Sequence, residues 1–399
     1  MKNIFALDLG TTKFCIAGYQ PAKSGAPSFK IVSQQSDGMK KGMLADIGRA
    51  EKTLANLIKK AEKEFGQKIR KVAVGVAGHH LSSNIISASQ QTPPRPIGQK
   101  NLTHLKNQAL EKSQSPGREA LHIIPTSYSV DQRSDIKNPL QIWGSKLSCK
   151  YFTIESDQLY LSNIVGICNS CGLEVSSLLA EPYASSFVTV PEEQKNMGIA
   201  IADIGGGTTD GIVFINGDPI SCFSINIGGH MMTNDISIGL NIPYSEAEKA
   251  KAFFGLSGSQ SKQKISLNNV RNEIVSHSGE KIQKILAQRV IELSEHLALK
   301  LKPFKGRLGA GILLTGGGSN VASLTQLMNR QFGIPVESTK PNVSKIPGLK
   351  DELFASSFAT VIGLVNLEVE KQISSDPYHA QAFKHRYLKS LINWVKELS

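Results

Sequence analysis

The sequence predicts an α/β protein of at least two domains. Three observations carry this expectation. The chain has 399 residues, beyond the roughly 100 to 200 of one ordinary domain. With 40% hydrophobic and 20% charged residues, it can bury a core without disulfides or metals. One strand, turn, strand unit also occurs twice, as LDLGTTKFCIAG around Asp8 and as ADIGGGTTDGIV around Asp203, and this repetition indicates an internal duplication.

In chain order, residues 3–9 and 14–19 form a hairpin whose turn is rich in hydroxyls. Ile47, Leu54, Leu57, Ile58, Ala61 and Phe65 fall at helical spacing, so residues 45–65 form a helix capped by Asp46 and ended by Gly66. Residues 71–77 are a short β-rich run. The prolines in 92–98 mark a crossing into an inserted module that ends near Thr153, with strands at 121–130 and 147–154 and a helix at 102–112. A helix at 159–171 follows, then Glu181-Pro182 and small residues, and then the second strand pair at 199–214. Residues 274–302 read as one long helix, and 312–315 as a buried strand ending in three glycines. Strands alternating with helices in this way indicate α/β architecture.

The composition excludes several classes. No stretch has the roughly 18 apolar residues of a membrane span. Five cysteines without framework spacing fit reduced thiols. Cys168 and Cys171 form a CxxC, but it closes a helix and lacks a second ligand pair, so buried structural thiols are expected there. His79 and His80 have no ligand cluster beside them and read as solvent or turn residues. The net charge of +12 draws the protein towards anionic partners. No basic and aromatic ribbon appears, so nucleic acid is not expected among them.

The two repeated turns point to phosphate. Glycine and small hydroxyl residues let main-chain N–H groups converge on a polyphosphate. Gly10, Thr11, Thr12 and Lys13 can do this in the first turn, with Lys13 adding a positive charge; Gly205, Gly206, Gly207, Thr208 and Thr209 can do it in the second. Asp8 and Asp203, each two residues ahead of a glycine, suit a magnesium ion held through its waters. Gly316, Gly317 and Gly318 follow a strand and precede a helix, so their amides can meet the nucleoside or α-phosphate. There is no GxxxxGK[ST] and no GxGxxG after a strand, which sets aside the P-loop and dinucleotide folds.

These runs resemble the actin and DnaK-type ATPase superfamily, with its two phosphate loops and adenosine loop. The resemblance implies an actin-like two-domain fold with an ATP site between the domains. Glu181 resembles the residue that positions the attacking water, with Asp203 beside it as a second catalytic candidate. Glu248 and Lys251, in the run AEKAK, are placed at the base or ribose. The strings LHIIPTSYSVD, IKNPLQIWGSKL and CGLEVSSLLAEPYASS are similar to the FtsA family of bacterial division proteins, from Lys2 to about Leu367 and again at the C-terminus.

That resemblance implies a domain order. Residues 1–82, 160–196 and 352–370 form the first core, with 83–159 as an inserted α+β subdomain. Residues 197–227 and 306–351 form the second core, with 228–305 as its subdomain. A linker covers 371–382 and an amphipathic helix 383–399. It implies ATP and Mg2+ as cofactors and self-assembly into a polymer. It also implies contacts with the FtsZ C-terminal peptide and with later division proteins, and a peripheral place on the cytoplasmic face of the inner membrane at the division site. Nucleotide acts mainly as a structural switch, with slow hydrolysis at most. Ser278 stands where many relatives carry arginine in the helix that contacts FtsZ, and Lys281, Lys284 and Arg289 can supply the charge instead. The alternatives are a pilus-assembly relative, which shares the inserted module but lacks the membrane tail, and a sugar kinase, for which no catalytic aspartate or sugar-pocket motif is present.

At about 100° per residue, Phe383, Tyr387, Leu388, Leu391, Ile392, Trp394, Val395 and Leu398 fall on one half of a helix. Lys384, Arg386, Lys389 and Lys396 against Glu397 give this segment a net charge of +3. Such a helix lies in the interface of an anionic bilayer, with its aromatic residues at headgroup depth.

Overall fold

The computed structural model describes residues 2–22, 27–342 and 355–373. The membrane segment expected at 383–399 lies outside them. The first lobe is built from β1 (Ile4–Leu9), β2 (Lys13–Gln20), β3 (Ser28–Gln35), β4 (Met39–Lys40), β5 (Met43–Leu44), α1 (Ile47–Phe65) and β6 (Lys71–Val76). The inserted module follows as β7 (Ser82–Pro96), α2 (Gln99–Ser113), β8 (Arg118–Val130), β9 (Arg133–Ile136) and β10 (Trp143–Asp157). The chain returns to the first lobe through α3 (Gln158–Ser170), β11 (Glu174–Ala180) and α4 (Glu181–Thr189). The second lobe comprises α5 (Glu192–Met197), β12 (Ile199–Ile204), β13 (Thr209–Ile215), β14 (Asp218–Ile225), α6 (Gly229–Leu240), α7 (Tyr244–Phe254), β15 (Lys264–Asn268), β16 (Ile274–Ser278), α8 (Gly279–Leu301), β17 (Gly311–Thr315), α9 (Leu324–Phe332) and β18 (Val336–Ser338). Helix α10 (Ala359–Ile373) crosses back onto the first lobe.

The duplication is visible in the sheets. One runs β11-β6-β1-β2-β3 and the other β18-β17-β12-β13-β14. In each, the hairpin and its third strand are antiparallel and the remaining two are parallel. Helices cover both faces of the first sheet, so β1 is apolar at every position but one. Phe5, Leu7 and Leu9 pack towards α1 and α3, while Ile4 and Ala6 pack towards α4 and α10. Asp8 shares the parity of Ile4 and Ala6 and therefore falls on the α4 and α10 face. In the second sheet Ala200, Ala202 and Ile204 join the core with α8, whereas Ile199 and Ile201, which share Asp203's parity, pack into the first lobe's core. Helix α4 lies against β11, β12 and β13, so one helix serves both sheets and its first residue, Glu181, sits between their ends.

Local chemistry sets the boundaries. Helix α1 starts where the Asp46 carboxylate accepts from Arg49 N–H at 3.0 Å and stops at Gly66 in the left-handed region. The expected helix over 274–302 divides: Ile274 to Ser278 pair with β15, and Ser278 caps α8 by accepting from Lys281 N–H. The β-branched Ile274 and Val275 favour this strand. The proline-rich crossing is also displaced. Strand β7 already begins at Ser82, and Pro93, Pro94 and Pro96 lie at its far end on a sheet edge, where a missing N–H is tolerated.

The inserted module has its own core, including Leu102, Leu105, Leu147 and Tyr151, and it touches both lobes. His122 Nε2 accepts from Ala180 N–H at 2.9 Å in the first lobe. Ser83 Oγ accepts from Cys222 N–H at 2.8 Å, and Lys137 pairs with Asp218 at 2.7 Å, in the second.

Candidate functional site

A cavity of about 460 Å3 opens between the two sheets, a size common for small-molecule sites. The structure brings Asp8, Gly10, Thr11, Thr12 and Lys13 to it from the first hairpin and Asp203, Gly205, Gly206, Gly207 and Thr208 from the second. Glu181, Glu248, Lys251, Gly316, Gly317 and Gly318 also line it. Thr209 does not: its side chain is fully buried and donates to Ile227 C=O at 2.7 Å. The third glycine run leads into a 3₁₀ turn, Gly317–Asn320, and α9 begins only at Leu324. The amides offered there are those of the turn and not of a helix start.

The two hairpin loops touch. A side chain at Gly206 would collide with the Thr12 hydroxyl, and one at Gly207 would press on the Thr11 hydroxyl and on Lys41. Thr11 Oγ1 accepts from Gly42 N–H at 2.9 Å, and Tyr160 donates its hydroxyl to Gly42 C=O at 3.1 Å. Gly316, at φ +84°, stacks directly on Asp203, where any Cβ would clash with the carboxylate.

Four carboxylates face one another here. Burial raises Asp203 to about 7, opposed by a 2.9 Å bond from the Thr360 hydroxyl and reinforced by Asp210 and Asp8. Burial raises Asp8 to about 6, opposed by the Lys13 ammonium. Glu181 rises well above the usual range for the same reason, with Asp8, Asp210 and Asp203 adding to it. Asp210 rises by burial, although it accepts from Thr208 Oγ1 at 2.6 Å and from Gly78 N–H at 3.1 Å. Negative charge concentrated beside converging amides and Lys13 suits a cation that arrives with an anionic ligand. No group of three or more His, Cys, Asp or Glu among the described residues is placed to chelate a metal directly. Lys13 Nζ lies 3.5 Å from the centre of the Phe358 ring, which holds it beside Asp8.

On the far wall, Lys251 Nζ donates to Glu248 Oε2 at 2.8 Å and to Thr233 Oγ1 at 2.7 Å, so both α7 residues belong to one fixed network. Sequence reasoning missed Asp210, Tyr160, Thr360, His230 and Tyr244. Asp210 was within reach, because it pairs with Asp203 across β12 and β13 as Cys15 pairs with Asp8 across β1 and β2. The other four come from distant segments and need the fold.

Several expectations change outside the cavity. Arg289 pairs with Asp235 at 2.6 and 2.9 Å and with Glu292, so its charge is already neutralised within the lobe, while Lys281 and Lys284 stay exposed. His80 is not a solvent residue: it is buried, stacks on Tyr160 at 3.7 Å and bonds Ser156 Oγ through Nδ1 at 2.9 Å. At the CxxC, Cys168 is buried as expected and Cys171 is half-buried, and burial pushes both thiols above their ordinary range.

The family model described as "Cell division protein FtsA" matches residues 200–363, and the one described as "SHS2 domain inserted in FTSA" matches 78–154. The chain belongs to the FtsA family. Relatives with the description "Cell division protein FtsA" include that of Buchnera aphidicola subsp. Baizongia pistaciae, 29% identical across 99% of this chain and 98% of its own. Those of Pseudomonas aeruginosa and Escherichia coli K12 are 27% and 25% identical over 99% and 100% of this chain and 98% and 97% of theirs. Among solved structures, a PilM-PilN type IV pilus biogenesis complex aligns at a TM-score of 0.64 with 17% identity, covering 92% of this chain and 98% of that one. MreB5 of Spiroplasma citri bound to ADP aligns at 0.55 with 16% identity over 94% and 99%. The fold is thus actin-like with an inserted α+β subdomain. The FtsA family model and the full-length relatives described as cell division proteins favour cell division over the pilus reading.

Proposed function

We propose that this FtsA-family division protein binds ATP with Mg2+ in the cavity between its sheets and uses it as a switch for assembly. The observation that carries the reading is the convergence of two glycine and threonine hairpins and a third glycine turn on one cavity. Amides of Gly10 to Lys13 and of Gly205 to Thr208 would hold the phosphates, and Glu248 and Lys251 the ribose or base. Asp8 and Asp203 would hold the hydrated ion, whose positive charge relieves the crowding of the four carboxylates. Glu181, raised in pKa and held against β6 where Gly75 leaves it room, is the residue to orient a water, with Asp203 beside it. A nucleotide gripped from both lobes fixes their relative angle and with it the contact between successive copies.

The exposed Lys281 and Lys284 on α8 suit the acidic tail of FtsZ, and the segment 383–399 supplies the contact with anionic lipid. Together they would tether FtsZ to the cytoplasmic face of the inner membrane, with many weak anchors summed along the polymer. The inserted module is the surface for later division proteins.

Two measurements test this reading. Calorimetric titration of Mg-ATP should give binding that Asp203→Ala weakens at least tenfold; an unchanged affinity would contradict the assignment. Sedimentation with anionic vesicles should carry the protein down with ATP, carry FtsZ with it, and fail for a chain lacking 383–399. Equal recovery of the shortened chain would refute the membrane contact.

A further inference from the structure

We propose that His230 is a polyphosphate-contacting residue that draws the two hairpin loops together, an inference that rests on the nucleotide reading above. His230 is the second residue of α6 and is bonded to both loops at once. Its backbone N–H donates to Gly206 C=O at 2.8 Å, and its ring Nε2 lies 3.1 Å from Thr12 Oγ1. Gly229 N–H donates to Gly205 C=O at 2.9 Å and Met231 N–H to Gly228 C=O at 3.1 Å. The amides that open α6 are therefore already paired and cannot serve a phosphate, unlike those of an ordinary helix start. What this helix presents to the cavity is the imidazole.

Its surroundings are built. His230 and Tyr244 both line the cavity, with the Tyr244 ring edge-on to His230 at 5.7 Å. Burial and the Lys251 ammonium lower the His230 pKa, while Glu248 opposes them. The neutral ring can accept from the Thr12 hydroxyl or, in its Nε2–H tautomer, donate to an anionic oxygen in its place. A phosphate gripped by both loops lies beside Gly206 and Thr12, and His230 already contacts both. The latch and the ligand contact are then one group: it joins the loops in the absence of phosphate and joins both to phosphate when it is present. Adenosine, which has no phosphate, does not engage it.

Calorimetry with Mg-ATP, Mg-ADP and adenosine on the full chain tests this. His230→Ala should lower affinity for both phosphorylated ligands about tenfold or more and leave adenosine within twofold. His230→Gln keeps an amide donor at similar reach and should recover most of the loss, whereas His230→Met, of similar volume without a donor, should not. Thermal denaturation of all three shows whether they are folded, and the Gln and Met pair keeps the test decisive if the Ala variant is not. Mg-ATP affinity unchanged in His230→Ala and His230→Met, equal loss of adenosine, or equal behaviour of Gln and Met would each overturn the assignment. Failure of the unaltered protein to bind any nucleotide would instead remove the reading on which the inference rests.

Discussion

Replacing Asp203 by Asn should make the ligand-free protein more stable and the nucleotide complex weaker. Asn keeps the shape and can still accept from Thr360, but it removes one of four crowded carboxylates. Asp203 rises from 3.8 to about 7, a gap of about 3 pH units, and at about 1.36 kcal/mol per unit this corresponds to roughly 4 kcal/mol of strain in the ionised form. Water in the open cavity screens the cluster and reduces the gain to about 2 kcal/mol. For a chain of 399 residues that raises the melting temperature by about 2 °C.

The pH dependence has a fixed sign. A carboxyl whose folded pKa is raised holds a proton that the unfolded chain has already lost, so it stabilises the fold at pH 4 and ceases to do so as pH climbs through about 7. Thermal scans of the ligand-free protein from pH 4.5 to 8.5 should show melting temperature falling across that window, with a shallower slope for Asp203→Asn. Mg-ATP should raise the melting temperature of the unaltered protein at pH 7.5 and leave that of the variant nearly unchanged. A variant that melts at or below the unaltered protein at pH 7.5, or that follows the same slope, would show that Asp203 is not held under electrostatic strain.

Gly206→Ala forces the second loop off the Thr12 hydroxyl and should weaken Mg-ATP at least tenfold in calorimetry while costing about 1 kcal/mol or less in urea unfolding. His122→Leu strands the Ala180 N–H ahead of Glu181 and should cost about 1 to 3 kcal/mol, with His122→Gln milder because its carbonyl can still accept; urea midpoints for the pair check this. Arg289→Ala releases Asp235 and should lower stability by about 2 kcal/mol without changing affinity for an FtsZ tail peptide, whereas reversing Lys281 and Lys284 to Glu should abolish peptide binding in fluorescence anisotropy.

Residues that bear chemistry through local pattern were legible in the sequence. Asp8, Asp203 and the glycine and threonine turns declare themselves because a strand end, a tight turn and a return strand lie within about a dozen residues. The repeat also makes the two sheets legible as copies. Residues that act through the fold were not. Thr360 reaches Asp203 from a helix 157 positions away, and His230 meets Thr12 across the two lobes. The boundary of α8 was misplaced because Ile274 and Val275 continue its apolar spacing, and pairing with β15 decided the matter. Arg289 looked available because Asp235 lies on another helix, 54 positions earlier.

The inserted module is fastened on one side through His122 and on the other through Ser83 and Lys137. A hinge that opens between the lobes cannot leave a strut pinned at both ends where it was: one set of pins must slip, or the strut must tilt. Whatever clasps that strut from outside pulls on the jaw itself, and a jaw clenched on its cargo would in turn offer the outside world a strut at a different angle.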